Sequence, residues 1–329
     1  MKKKNVAIIA GGYSSEFEVS LRSAENLYSF IDKDRYNVYK VIITRDSWEV
    51  QAPSNSPQGG ESENIDKNTF SFRCGNDTVK FDFAYITIHG TPGEDGLLQG
   101  YFDMIGIPYS TCGVATSALT FNKYMCNHFL KSLGIHVSDS ILLRKGQAIY
   151  PETIIETLNL PVFVKPNNGG SSFGVTKVKE VSQIQAAVER AFAEGSEVII
   201  ERFIPGIELT CGCYQSTHGI LTFPVTEVVP ENEFFDYGAK YNGEVQEITP
   251  ARISTELATK IQSQTKKIYE LVGAKGIIRI DYIVPSDEMP VLLEINTTPG
   301  MTATSFIPQQ VQAAGLNMKD MMTEIIENN

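Results

Sequence analysis

Residues 4–10 hold a short apolar run, Val6 to Ala10, that stops at Gly11-Gly12. A run of this length bounded by glycines reads as a strand buried on both faces, the kind found in parallel sheets. The period then changes. Leu21, Ala24, Tyr28 and Ile31 recur at helical spacing, and Ser15 with Glu18 has the S-x-x-E form of a capping box. Residues 38–44 (VYKVIIT) predict the next strand. The chain therefore opens strand, glycine turn, helix, strand. The polar stretch 52–68 reads as a surface loop without chemistry. FDFAYITIHG (81–90) predicts a strand ending at His89-Gly90. Residues 97–105 predict a helix and 107–109 a short extension. A first boundary falls near 113–118.

Beyond that boundary, residues 116–133 (TSALTFNKYMCNHFLKSL) predict one helix stopped by Gly134. LPVFVKP (160–166) predicts a strand, NNGGSSFG (167–174) a glycine-rich loop and VTKVK (175–179) a second strand. SEVIIERFIPG (196–206) is a strand running into a Pro-Gly turn, with a second boundary close to 205. LTCGCYQ (209–215) begins a region of antiparallel pattern. Residues 226–248 read as a long irregular stretch, and loops that long are usually functional or disordered. GIIRIDYIV (276–284) and VLLEIN (291–296) form a hairpin. The alternation of strands and helices gives an α/β chain, with a parallel sheet first and antiparallel sheets after it.

Composition narrows the class. The 329 residues carry 28 Lys plus Arg against 39 Asp plus Glu, a formal net charge of −11. A binder of nucleic-acid phosphates needs a basic face, so that class is disfavoured. Apolar residues at 42% and charged residues at 20% describe an ordinary globule of two or three domains. Cys74, Cys112, Cys126, Cys211 and Cys213 are odd in number and scattered, which argues against a disulfide framework and for a reduced, cytoplasmic setting. The N-terminal apolar core is too short for a signal peptide, and no window reaches the length of a membrane span.

Candidate chemistry concentrates in the hairpin. Side chains alternate faces along a strand, so Arg279 and Asp281 share one face. Leu292, Glu294 and Asn296 share a face of the partner strand. In matched register, Asp281, Glu294 and Asn296 converge as oxygen donors beside Arg279, a set suited to Mg²⁺. A solvated strand face with an Arg–carboxylate pair has the same pattern. The glycine-rich loop lets backbone N–H groups approach an anion, and Lys165 ends the strand before it. It is not a Walker A loop, since no Gly-Lys-[Ser/Thr] occurs in the chain, and a plain hairpin turn fits it as well. Glu16 lies at a helix start that could hold a ligand or simply favour the helix dipole. His89 lies at a strand end, where ligands bind in parallel sheets, although a lone His is more often structural. His128, His136 and His218 have no local partner. Cys211, Cys213, Met301, Met318, Met321 and Met322 read as packing residues.

Eight segments in order resemble the D-alanine–D-alanine ligases of the ATP-grasp superfamily over nearly the whole chain. They are GGYSSEFEVSL, HGTPGEDGLLQG, ALTFNK, VKPNNGGSSFGVTKV, ERFIPGIE, DYGAKY, RIDYIV and LEINTTPGMTATS. The resemblance implies an α/β (α+β) three-domain ATP-grasp architecture: an N-terminal α/β substrate domain (1–115), a central lobe (116–205) and a C-terminal catalytic lobe (206–329) with a lid at 226–248. ATP would lie between the two β-rich lobes. Adenine would meet the hinge from Glu201 to Ile204, and the ribose Glu208. Lys123 and Lys165 would hold the α- and β-phosphates and Lys240 the γ-phosphate. Asp281, Glu294 and Asn296 match a site for two Mg²⁺ or Mn²⁺ ions. Glu16 would hold the first D-Ala, with Val19, Ser20 and His89 around it. Arg279 and the Gly300 N–H would form an oxyanion hole, and Ser305 would bind the second D-Ala beside Phe306. Glu16, Ser171 and Tyr241 would tie helix, loop and lid together.

The implied activity is ATP-dependent ligation of two D-alanines through an acyl phosphate, for peptidoglycan precursors and so for cell shape. A cytoplasmic homodimer that binds neither nucleic acid nor membrane is implied. Related readings are a ligase taking D-lactate or D-serine, and a silent nucleotide binder on the same scaffold. Two departures stand out. Gly169 or Gly170 occupies the place where many relatives carry Glu, and Phe306 stands where they often have Leu.

Overall fold

A computed structural model of the chain describes residues 3–51, 62–170, 173–230 and 245–328. Ser171, Lys240, Tyr241 and much of the 52–68 and 226–248 segments therefore lie outside the described residues. In chain order the N-terminal region comprises β1 (Lys4–Gly11), α1 (Phe17–Phe30), β2 (Tyr36–Ile43), β3 (Trp48–Val50), β4 (Glu63–Asn64), β5 (Ser71–Cys74), β6 (Asp77–Lys80), β7 (Phe83–Ile86) and α2 (Leu97–Ile105). Its main sheet has the order β4-β3-β2-β1-β7, with β1 parallel to both neighbours. Alternation along β1 explains its unbroken apolar run. Val6, Ile8 and Ala10 pack toward α1, while Ala7 and Ile9 pack toward Leu98 and Phe102 of α2.

The capping box does not form. Glu16 is the N-cap of α1 and makes no side-chain cap bond. Ser14 takes over instead: its hydroxyl accepts from the Glu16 N–H at 3.2 Å and donates to the His89 carbonyl at 2.7 Å. A partner across the sheet thus displaces the local cap and ties the helix start to the end of β7.

The single helix expected at 116–133 is two, α3 (Val114–Phe121) and α4 (Lys123–Ser132). Asn122 between them is extended, and its side chain accepts from the Met125 N–H. Asn competes with helix continuation in this way and favours the cap position. The break turns Lys123 and Tyr124 toward Asn167, whose carbonyl and side-chain oxygen accept their N–H groups at 3.1 and 2.9 Å.

Next come β8 (Ser140–Arg144), α5 (Pro151–Leu158), β9 (Val162–Pro166), β10 (Thr176–Val178), α6 (Ile184–Phe192) and β11 (Glu197–Arg202), their strands forming an antiparallel sheet in the order β10-β9-β11-β8. Val162, Val164, Val198 and Ile200 point into a core with α5 and α6. Phe163, Lys165, Ile199 and Glu201 fall on the opposite face.

The C-terminal region holds β12 (Ile207–Ser216), β13 (Gly219–Thr222), β14 (Thr226–Pro230), β15 (Val245–Ile248), α7 (Thr255–Leu271), β16 (Ile277–Val284), β17 (Val291–Asn296), α8 (Phe306–Ala313) and α9 (Met318–Asn328). Its sheet order is β15-β14-β12-β16-β17. The stretch at 226–248 is thus not irregular at its ends: β14 and β15 pair antiparallel from Glu227–Ile248 to Pro230–Val245. Leu209, Cys211 and Cys213 pack toward α7, and Glu208, Thr210 and Gly212 face the other way. Burial pushes the Cys112, Cys126 and Cys211 thiols up to about 12, which makes them inert fillers. α9 closes over β1: Met321, Met322, Ile325 and Ile326 share a core with Val6, Ile8 and Ala10. Tyr36 donates to Glu327 at 2.6 Å, and Tyr214 to Glu324 at 3.1 Å.

Candidate active site

Matched register in the β16–β17 hairpin builds the centre. Arg279 faces Asn296 and Asp281 faces Glu294 across the strands. A bulge follows between Asp281 and Tyr282, so that Tyr282 pairs with Leu292. Two residues then oppose one, and the face of the chain inverts. Leu292 therefore joins the buried core with Ile280 and Tyr282, and it does not share the face of Glu294 as simple alternation expects.

Asp281 is 8% exposed and saturated with donors. Arg279 grips it as a fork, Nε to Oδ1 at 2.9 Å and a guanidinium NH₂ to Oδ2 at 2.7 Å. The Thr210 hydroxyl donates to Oδ1 at 2.6 Å and the Asn296 amide to Oδ2 at 3.1 Å. The guanidinium also lies 5.1 Å from the centre of the Phe306 ring, within cation–π range. Burial works against the Arg279 charge, but Asp281 and Glu294 more than restore it.

On the facing sheet, Lys165 pairs with Glu201 at 2.7 Å. Burial lowers the Lys165 pKa, yet Glu201, Glu294 and Glu208 together raise it. Its field thus spans both sheets: Glu201 belongs to its own, Glu208 and Glu294 to the other. Lys123 donates to the Gly169 carbonyl at 2.6 Å and lies 3.6 Å from Glu294. Both lysines and three carboxylates accordingly meet at the cleft between the sheets.

Beside this cleft lies a cavity of about 560 Å³. Glu16, Val19, His89, Lys123, Arg279, Glu294, Asn296, Gly300, Ser305 and Phe306 all line it. Asp281 stands behind Arg279 and does not line it, and neither do Lys165 and Glu201 of the central sheet, Ile204 in the connection after it, or Glu208 of the C-terminal sheet. Ser20 is elsewhere. It is fully buried, accepts from the Gly11 N–H and donates to the Thr87 carbonyl, so it pins α1 to the sheet. Gly170 lies close against Glu16: a Cβ there would meet the carboxylate at 2.9 Å, a contact the flexible side chain could relieve by moving. At Gly300 a Cβ would meet the Ser305 hydroxyl at the same distance. Ser305 occupies the N-cap position of α8 without a side-chain capping bond, and its hydroxyl instead meets the N–H and the hydroxyl of Thr302.

Two lining carboxylates escape the sequence reading. Glu94 is partly buried, its oxygens accepting from the Gly90 and Thr298 N–H groups at 2.9 and 3.4 Å. Burial raises its pKa, while His89 opposes the rise. The His89 Nε2 has no hydrogen-bond partner among the described residues and is buried. Glu247 on β15 is the second. Glu94 sits inside the HGTPGEDG segment, so a signal was present; Glu247 had none, because its position depends on the pairing of β14 with β15.

The donors at the hairpin fit a hard divalent cation: two carboxylates and one amide, with no thiol or imidazole among them. Among the described residues no group of three or more His, Cys, Asp or Glu is placed to hold a metal. The Asn296 amide donates to Asp281 in this structure.

Comparison with known proteins identifies the family. Residues 5–112 match the family model described as D-ala D-ala ligase N-terminus, and residues 129–327 the one described as D-ala D-ala ligase C-terminus. The D-alanine--D-alanine ligase of Parabacteroides distasonis is 65% identical, over 99% of this chain and 97% of the relative. That of Bacteroides fragilis is 60% identical, over 99% of both. Among solved structures, D-alanyl-alanine synthetase A from Vibrio cholerae superposes with a TM-score of 0.88 at 27% identity, covering 100% of this chain and 98% of the other. VanG D-Ala:D-Ser ligase from Enterococcus faecalis gives 0.86 at 31% identity, covering 99% of both. These neighbours carry the ATP-grasp fold expected from the motifs. The chain belongs to the D-alanine–D-alanine ligase family.

Proposed function

We propose that the cavity joins two D-alanines in an ATP-dependent reaction that passes through an acyl phosphate. The activity follows from the family. The observation that supports the site assignment is one cavity with Glu16 on one wall, Arg279 on another and Ser305 on a third. Glu16 holds the ammonium of the first D-Ala, with Val19 beside it and His89 near its carboxylate. That carboxylate attacks the γ-phosphate of ATP, which lies between the two β-rich sheets with Lys123 and Lys165 at its phosphates. Phosphoryl transfer of this kind needs mainly positioning and charge stabilisation. The amine of the second D-Ala then attacks the acyl carbon, and phosphate departs. Arg279 and the Gly300 N–H meet the oxyanion that develops. Ser305 takes the second carboxylate.

Asp281, Glu294 and Asn296 would hold Mg²⁺ or Mn²⁺, whose charge would neutralise the phosphate oxygens during transfer. The three segments 1–115, 116–205 and 206–329 serve as domains in this reading, each carrying one of the three large sheets. We also read the protein as a cytoplasmic homodimer; no helix among the described residues is long and apolar enough to cross a membrane. An acceptor other than D-Ala is the weaker reading, since relatives at 58–65% identity bear the D-alanine--D-alanine ligase name.

Phosphate release is the direct test, measured with ATP, Mg²⁺ and D-Ala, with L-Ala and with D-lactate plus D-Ala in parallel. Release with D-Ala alone and D-Ala–D-Ala in the product is the expected result. No turnover with any of them would point to a silent nucleotide binder.

A further inference from the structure

The cavity has an acidic wall that none of these roles uses. Glu247 on β15 lines it together with Arg279, Ser305 and Phe306. Gln309 on α8 donates its amide to the Glu247 carboxylate at 2.7 Å and to the Thr304 carbonyl at 2.8 Å. A neutral side chain therefore aims this carboxylate, and among the described residues no lysine or arginine forms an ion pair with it. Burial raises its pKa, with Gln309 and Arg279 opposing.

A half-buried carboxylate without a paired cation is costly unless a cation arrives. The proposed reaction brings two zwitterions into one cavity, so it brings two ammonium groups. Glu16 on α1 answers the first. Glu247 stands on a different element, and Gln309 ties it to the turn that begins at Thr304 and Ser305, where the acceptor's carboxylate is assigned. An α-amino acid separates its two charges by a single carbon, so its ammonium must fall close to whatever holds its carboxylate.

We propose that Glu247 binds the α-ammonium of the acceptor amino acid, with Gln309 as its positioning residue. This rests on the ligase reading above. Glu247 then selects for acceptors that carry an amine over those that carry a hydroxyl in the same place.

The test is Glu247→Gln, which keeps the size and the bond from Gln309 but removes the charge. Steady-state kinetics in D-Ala resolve the KM of the first site from that of the acceptor site. The acceptor KM should rise about tenfold or more, the effect of losing a hydrogen bond to a charged group. The KM values for ATP and for the first D-Ala should stay within about twofold, and Glu247→Asp should restore part of the loss. D-lactate should also compete better against D-Ala in Glu247→Gln than in the wild type. An unchanged acceptor KM, or three KM values rising together, would overturn the assignment while leaving the ligase reading intact. A wild type that releases no phosphate with D-Ala would overturn that reading itself.

Discussion

Two cation–carboxylate pairs face each other across the cleft, and they are built differently. Arg279 and Asp281 sit two positions apart on one face of one strand, joined by two parallel bonds, with Thr210 and Asn296 filling the remaining lone pairs. The Phe306 ring adds a further hold on the guanidinium. Lys165 and Glu201 come from two strands and share a single contact of 2.7 Å. An ammonium is a point charge on a flexible stem, whereas a guanidinium is a rigid fork. The first pair is therefore fixed in place before any substrate arrives. The second can release its cation to a phosphate with little rearrangement. In the proposed reaction, a developing oxyanion needs a donor that is already in position, and a mobile triphosphate is better met by one that can follow it.

Substitutions should separate the two pairs. Arg279→Ala has the largest expected effect. It removes a proposed oxyanion donor, for a loss of about 10²–10³-fold in kcat. It also leaves Asp281 buried without its partner, which typically costs about 3–5 kcal/mol of stability. Stopped turnover and a lowered unfolding midpoint would be seen together. Arg279→Lys should rescue little, because the fork is gone. If lysine worked nearly as well there, the contrast between the pairs would collapse.

Lys165→Met should be milder. The expected outcome is a rise of about ten- to a hundredfold in the KM for ATP, with Lys165→Arg retaining part of the wild-type affinity. A loss confined to kcat would argue that Lys165 is as fixed as Arg279. At the metal set, Glu294→Gln should raise the Mg²⁺ concentration needed for half-maximal rate by roughly tenfold, given the loss of a charged ligand. Asp281→Asn with wild-type Mg²⁺ dependence would sink the metal assignment.

Glu94 supplies the smallest and sharpest contrast, since two backbone N–H groups hold it where Asp281 has a forked arginine. Its pKa lies above the ordinary 4.5, chiefly through burial. The folded state thus holds its proton more tightly than the unfolded chain does. That contribution is complete below the unfolded value and is lost as pH climbs through the folded one. Measured against Glu94→Gln, wild-type thermal stability should fall as pH rises from about 4.5 toward neutrality. A difference that stays flat with pH would show that folding does not raise the Glu94 pKa.

Much of this was legible in the residues. Period-two alternation in RIDYIV and LEIN brought Arg279, Asp281, Glu294 and Asn296 together, and the structure places them so. What alternation could not foresee was the bulge, because an extra residue in one strand is settled by how the partner strand packs. The same reason hid the break at Asn122: it becomes a cap only because Asn167 lies opposite to receive the next two N–H groups. Ser15 and Glu18 had a proper local signature, but Ser14 found a partner 75 residues away. Glu247 carries no motif at all. Its place is set by strand pairing and by Gln309, 62 residues further on.

The packing of α9 against β1 bears on how the chain is made. Val6, Ile8 and Ala10 cannot be fully covered until Met321 to Ile326 exist. Ribosomes add about 5–20 residues per second, so these strand residues wait on the order of 15 to 60 seconds after synthesis for their last neighbours. During that interval the most apolar strand of the N-terminal sheet has one incompletely covered face. The central sheet has no such dependence, because its core partners all lie between Ile141 and Ile200. It is free to fold while the ribosome is still working, and the sheet whose strands come first in the chain is among the last to be finished.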